Sequence, residues 1–172
     1  ISELRELLED SVKSRLMSDV PYGAYLSGGV DSGSVVALMK KHSPQKVKTF
    51  SVGFKEEKYS EAEEARFLSK AIGTDHHELS IGHDAIKLLP EVIWHADEPL
   101  ADPTAIPIFL LSEYAKKYCT VILAGEGADE RVPGAGNVEH LARLGGEELV
   151  LRAAIEGQHA LGAASDAPRL EP

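Results

Sequence analysis

Tyr25-Leu26-Ser27-Gly28-Gly29-Val30-Asp31-Ser32 is the stretch on which the reading of the fold turns. The apolar run Tyr22 to Leu26 is a short strand stopped by a glycine pair, and Val35, Val36, Leu38 and Met39 after it follow a helical pattern. Two glycines between strand and helix let the backbone turn sharply and approach a ligand. Ser27 and Ser32 offer hydroxyl donors, and the helix that follows points unpaired N–H groups outward. Together these make an anion cradle. Asp31 inside it would repel phosphate unless a cation stood between them, so the loop implies Mg2+ bridging carboxylate and phosphate oxygens. No Lys follows the glycines, so the loop lacks the point charge that another kind of phosphate loop carries there. The same residues also suit an ordinary strand-to-helix turn capped by Asp31 or Ser32, and their chemistry alone leaves both readings open.

Working outward, Leu4, Leu7, Leu8, Val12 and Leu16 recur at three- and four-residue spacing and predict an amphipathic helix over about residues 3 to 17, ending before Pro21. Beyond the loop the unit repeats. Val47 to Phe54 reads as a strand, and Glu61 to Ile72 as a helix with Ala62, Ala65, Phe67, Leu68 and Ile72 inward. His76 to Leu79 reads as a third strand. From Asp84 to His95 the pattern is helical but contains Pro90, which predicts a kink or two short helices. A Pro-punctuated loop from Asp97 to Pro103 leads to a helix over Ile106 to Tyr118, then to the strand Val121-Ile122-Leu123-Ala124, which Gly125 ends. This alternation predicts an α/β fold, a parallel sheet with helices on both faces.

Leu123-Ala124-Gly125-Glu126-Gly127-Ala128-Asp129-Glu130 also follows a strand and again offers carboxylates on a glycine-flexed loop. In a parallel sheet both loops leave at the C-terminal ends of strands, where ligands bind, so the two could share one metal. A surface turn with solvated acids is the other reading.

The chain has 172 residues, 43% hydrophobic and 27% charged, enough for one globular domain. Lys+Arg 18 against Asp+Glu 28 gives a net charge of -10, the wrong sign for tracking a nucleic-acid backbone. Cys119 is the single cysteine, so no internal disulfide forms, and no apolar run is long enough for a membrane span. A reducing, cytoplasmic setting is expected. Ile1-Ser2-Glu3-Leu4-Arg5 has neither an initiator Met nor a secretory pattern, so the chain is expected to begin within a larger or trimmed protein.

Ser27-Gly28-Gly29-Val30-Asp31-Ser32 after a strand resembles the phosphate loop of the N-type ATP pyrophosphatases, the PP-loop group with an adenine nucleotide alpha hydrolase-like fold. These enzymes split ATP between its α and β phosphates. Over about residues 3 to 130 the chain is similar to the synthetase domain of the glutamine-hydrolysing asparagine synthetases. Gly33 departs from the family, which usually has another Ser there. The resemblance implies that Asp129 is a second Mg2+ ligand beside Asp31, and that Glu126 lies near the reacting carboxylate as the catalytic candidate. It further implies that Val52 and Gly53, at the end of Thr49-Phe50-Ser51-Val52-Gly53-Phe54, line the adenine pocket, and that Leu26 and the Ala124-Gly125 backbone contact the nucleoside. Tyr59-Ser60-Glu61 and Asp75-His76-His77 also resemble family elements.

In that family the aspartate side-chain carboxylate attacks the α-phosphorus of ATP, pyrophosphate leaves, and ammonia displaces AMP. The implied partners are ATP and a carboxylate substrate, aspartate in the family, with the glutaminase domain or other ammonia source outside this chain. No nucleic acid or membrane is implied. Rival readings are another PP-loop amidotransferase or ligase, such as a tRNA-thiolating enzyme or a GMP or NAD synthetase, and a module that binds ATP without turnover. The acidic charge and the lack of paired cysteines weigh against the tRNA enzyme.

Asp97-Glu98-Pro99 with Ala101-Asp102-Pro103 resembles a loop beside the substrate in many family members, although Asp102 is read first as a cap of the helix beginning near Thr104. His76 and His77 are neighbours on a strand and point to opposite faces, which disfavours a metal site. Cys119 has Lys116 and Lys117 nearby but no base partner, so it is read as a buried structural thiol, and Trp94 is read as core. Residues 131 to 172 contain no Lys and no Phe, Tyr or Trp, and are crowded with Ala and Gly. They are expected to form a divergent, poorly packed tail, as a truncated or frameshifted reading frame would give, leaving this chain an incomplete fragment.

Overall fold

The computed structural model describes residues 2–54, 61–99 and 101–125. Four strands, β1 (Tyr22–Tyr25), β2 (Lys48–Phe54), β3 (Asp75–Ile81) and β4 (Val121–Leu123), form one sheet in the order β3-β2-β1-β4. Every pairing is parallel, with Ala24 opposite both Thr49 on β2 and Leu123 on β4, and Thr49 opposite His76 on β3. Five α-helices accompany them in the described residues: α1 (Ser2–Arg15), α2 (Val30–His42), α3 (Ala62–Ile72), α4 (Leu89–Ala96) and α5 (Ala105–Ala115).

The period of two along each strand divides the side chains between two cores. On one face Ala24, Leu26 and Leu123 meet Val12 of α1, Val36 and Met39 of α2, and Ala65, Leu68 and Ile72 of α3. On the other face Phe50, with Tyr25, Val52, Leu79 and Ile122, meets Leu111 and Ala115 of α5 and Cys119. The sheet therefore carries helices on both faces, the α/β arrangement the sequence predicts. The intermediate polar positions of β2 find partners beneath α3: Thr49 Oγ1 lies 2.8 Å from Thr74 Oγ1 and 3.0 Å from His76 Nδ1, and Ser69 Oγ lies 2.8 Å from Thr74 Oγ1. His77 instead stacks on Phe50 at 5.4 Å, so the two histidines do face opposite ways.

Pro90 produces two short helices, a 3-10 turn over His83–Leu88 followed by α4 with the proline in its first turn, where its missing N–H costs nothing. Two core expectations are corrected. Trp94 is 82% exposed, because α4 lies against α5 and the 3-10 turn through its other side, and Val92 is its buried residue. Phe67 is 43% exposed, since the buried stripe of α3 runs through Ala62, Ala65, Leu68, Ser69 and Ile72 and turns residue 67 away. The expected tail, 131–172, lies outside the described residues.

Candidate functional site

Because β1 and β4 are adjacent and parallel, the loops that follow them leave the sheet at the same edge. Leu26 N donates to Phe50 O at 2.9 Å, extending the β1–β2 ladder one residue before the chain turns. Gly28 then takes φ +90°, a conformation L side chains rarely adopt, and a Cβ there would stand 2.4 Å from Glu64 Cβ on α3. Glycine is thus required twice over, by its dihedral and by the approach of the helix.

The serines hold the loop's shape. Ser27 Oγ and Ser32 Oγ lie 3.0 Å apart, Gly29 N donates to Ser27 Oγ at 3.3 Å, and Ser32 Oγ donates to Gly29 O at 3.2 Å. Gly33 N donates to Gly29 O at 3.0 Å, the first bond of α2. The cap residue of α2 is Gly29, which brings no side-chain hydrogen bond. Neither Asp31 nor Ser32 is therefore the cap, contrary to the ordinary-turn reading, and Asp31 stands in the first helical turn. Ser27 is exposed and Ser32 buried, so one hydroxyl faces outward while the other anchors.

The second loop meets the first at its start. A Cβ on Gly125 would lie 2.7 Å from Ser32 N and 2.8 Å from the Asp31 carbonyl carbon, which places these backbones in direct apposition. Ala124 beside it is exposed. Val52, half-buried, and Gly53, buried, lie where β2 runs on past the end of β1, opposite Leu79 and Ser80 of β3. Glu126 and Asp129 lie outside the described residues.

This donor set suits a phosphate chain. A helix start without a side-chain cap, two glycines whose Cβ positions are filled by neighbouring backbone or side chain, and a hydroxyl at the rim offer N–H and O–H groups to anionic oxygens. Among the described residues no three His, Cys, Asp or Glu side chains gather to hold a metal ion alone. A cation here would take Asp31 together with phosphate oxygens, the donor set expected for Mg2+.

Asp102 stands two residues before Thr104, the cap position of α5, and does not itself cap the helix: its Oδ1 accepts from Thr104 N at 2.8 Å and Thr104 Oγ1 at 2.7 Å, and these bonds hold its carboxyl below the ordinary range. Cys119 is 5% exposed, and burial pushes its thiol up while Lys48 opposes the shift weakly. The sequence reading missed Glu64. No motif contains it, but Glu61, Glu64 and Leu68 share the three- and four-residue helical spacing that carries α3 onto the loop.

Comparison with known proteins agrees with this geometry. The family model described as asparagine synthase matches residues 3–166. Asparagine synthetase [glutamine-hydrolyzing] 1 of Bacillus subtilis is 43% identical over 135 residues, covering 78% of this chain and 21% of that protein. Asparagine synthetase B [glutamine-hydrolyzing] of Escherichia coli is 38% identical over 151 residues, 75% of this chain and 26% of the relative. The chain thus spans about a fifth to a quarter of the length of the curated relatives it matches. Among solved structures, the NH3-dependent NAD synthetase of Campylobacter jejuni superposes with a TM-score of 0.55 at 16% identity, over 96% of this chain and 85% of the other. The NMN synthetase of Francisella tularensis gives 0.58 at 14%, over 89% and 76%; at such identities the likeness establishes the fold, the PP-loop α/β sheet. No helix among the described residues is long and apolar enough to cross a membrane. By the span of the family match and by its identity to curated relatives, this chain belongs to the asparagine synthase family.

Proposed function

We propose that the loop from Leu26 to Ser32, closed by Ala124 and Gly125, binds the phosphates of ATP, and that the domain serves an ATP-dependent synthetase. The observation that carries the reading is the apposition of Gly125 to Ser32, which joins two strand-end loops at an uncapped helix start. Mg2+ would supply charge neutralisation on the polyphosphate, held through Asp31 and, in the part of the chain beyond the described residues, Asp129. Ser27 and the first-turn N–H groups of α2 would orient the β and γ oxygens so that the α-phosphorus faces the carboxylate substrate. Val52, Gly53 and Leu26 would border the adenine. Glu126 would stand near the reacting carboxylate.

In the whole protein we read the reaction as adenylation of the aspartate side chain with release of pyrophosphate, then amidation by ammonia from a glutaminase domain. The support is family membership and the match to relatives named as glutamine-hydrolysing synthetases. A second reading is ATP binding without turnover, which the two apposed loops would serve by themselves. Titration calorimetry with Mg-ATP tests the first claim: micromolar to low-millimolar binding that falls at least tenfold in Asp31→Ala is expected, and equal affinity in both would overturn it. AMP release with and without aspartate then separates turnover from binding.

A further inference from the structure

Two helix starts converge on Gly28, and they differ in how many acids their first turns carry. α2 opens on Gly29 with no side-chain cap and carries one acid, Asp31, in its first turn. α3 opens with Glu63 and Glu64 in its first turn, so its pole is already answered by carboxylates. Glu64 is the nearer of the two. A Cβ on Gly28 would lie 2.4 Å from Glu64 Cβ and 3.1 Å from its carbonyl carbon, and a single methylene separates that Cβ from the carboxyl group.

One oxygen of the Glu64 carboxylate is out of water. Its Oε2 is buried with no hydrogen-bond partner among the described residues. Glu61, one turn earlier, feels it: burial first, and then the charge of Glu64, push the Glu61 carboxyl above its ordinary value. An exposed, solvated acid would be indifferent to a ligand's charge, whereas a half-buried one is screened less.

We infer that Glu64 is a specificity-determining residue of the phosphate loop, selecting a polyphosphate that carries a divalent cation over the bare anion. The inference rests on the nucleotide-binding reading above. A bare triphosphate on α2 must approach a fixed, partly desolvated negative charge. With a cation on the polyphosphate, the same carboxylate becomes neutral or favourable to binding. At separations of several ångströms, even with screening close to that of water, one such charge changes affinity by roughly three- to tenfold.

The test is calorimetric titration of the 172-residue chain and its Glu64→Gln variant with ATP, once in EDTA and once with saturating Mg2+. Glu63→Gln, which removes an exposed charge from the same turn, is the control for net charge. Glu64→Gln is close to isosteric, and a thermal melt of each variant confirms folding. The expected result is that Glu64→Gln binds ATP in EDTA roughly three- to tenfold more tightly than wild type. It gains less or nothing with Mg2+, while Glu63→Gln stays within twofold of wild type in both. Equal affinities of wild type and Glu64→Gln in EDTA, with Mg-ATP still bound, would overturn the role of Glu64 and leave the nucleotide reading intact. An equal gain in Glu63→Gln would overturn it as a net-charge effect. Absence of ATP binding to every form would overturn both.

Discussion

Gly125 lies so close to Ser32 that a Cβ on residue 125 would stand 2.7 Å from the Ser32 backbone nitrogen. The neighbour is main chain inside the first turn of α2, which cannot rotate away as a side chain would. Gly125→Ala must therefore move the loop from Leu26 to Ser32 or the end of β4. Overpacking of this kind costs about 1–3 kcal/mol, and the displaced loop should lose nucleotide affinity in the same variant. Urea unfolding and an ATP titration check the two together. A variant with unchanged stability and binding would show that the loops are less tightly apposed.

The glycine pair of the first loop makes a sharper comparison. Gly28→Ala meets both a φ of +90° and a Glu64 Cβ at 2.4 Å, whereas Gly29→Ala, at φ −71°, meets only Ser27 Oγ at 3.3 Å. The serine can rotate. Gly28→Ala should destabilise by about 2 kcal/mol or more, from left-handed strain plus overpacking, and Gly29→Ala by less than about 1 kcal/mol. Thermal melts of the two variants side by side decide the matter, and equal losses would contradict the asymmetry.

The sheet and the glycine turn after β1 were legible because each depends on local chemistry: period-two apolar runs for the strands, and Gly28-Gly29 for a turn that only glycine makes easily. Val47 to Phe54 against the observed Lys48–Phe54, and Pro90 dividing two helices, show how closely such signals follow the backbone. Trp94 and Phe67 were not legible. Apolar character says that a side chain gains from burial, but whether a neighbour covers it depends on which helices meet, and α4 turns Trp94 outward. As the sole tryptophan, it should report this directly, with a water-like emission maximum and ready quenching by iodide in the native protein. Glu64 escaped notice for a related reason. It is remote from Gly28 in sequence and reaches it only when α3 packs on α2, a tertiary fact no motif records.

Glu9 ties α1 to α2, and its contribution should depend on acid. Its Oε1 lies 3.1 Å from Lys41 Nζ and 2.7 Å from His42 Nε2. Hydrogen bonding to Lys41 first, then to His42, holds the carboxyl below its ordinary value, against a smaller opposing effect of burial. A depressed folded-state pKa means that the stabilisation is fully present above the unfolded value and fades as the pH falls through the folded one. Glu9→Gln should thus cost a few tenths to about 1 kcal/mol at pH 7, discounted because both partners are solvent-accessible. The gap should close as the pH drops below about 4.5, the ordinary carboxyl value. Urea midpoints of both proteins from pH 7 to pH 3 give the comparison, and a gap that widens in acid would reverse the assignment.

Cys119 should be silent in the native protein. It packs in the core under α5 with Phe50, Leu111 and Ala115, at 5% exposure, and a Cβ on Gly23 would come within 3.2 Å of its Sγ. Burial raises the thiol's pKa above the ordinary value, and the charge of Lys48 offsets only part of that. The raised pKa and the burial itself both suppress attack on a disulfide reagent, since the thiolate is the reactive form and the reagent must also reach it. Labelling by an aromatic disulfide at pH 8 should therefore be slow in buffer and should accelerate through the urea transition in step with the loss of helical circular dichroism. The Cys119→Ser variant distinguishes packing from reactivity: Cys119 Sγ already donates to Ala115 O at 3.6 Å, a partner a hydroxyl can keep, so the loss of stability should stay at about 1 kcal/mol. Rapid labelling under native conditions would place the thiol at the surface and the α5 face of the sheet in a different packing.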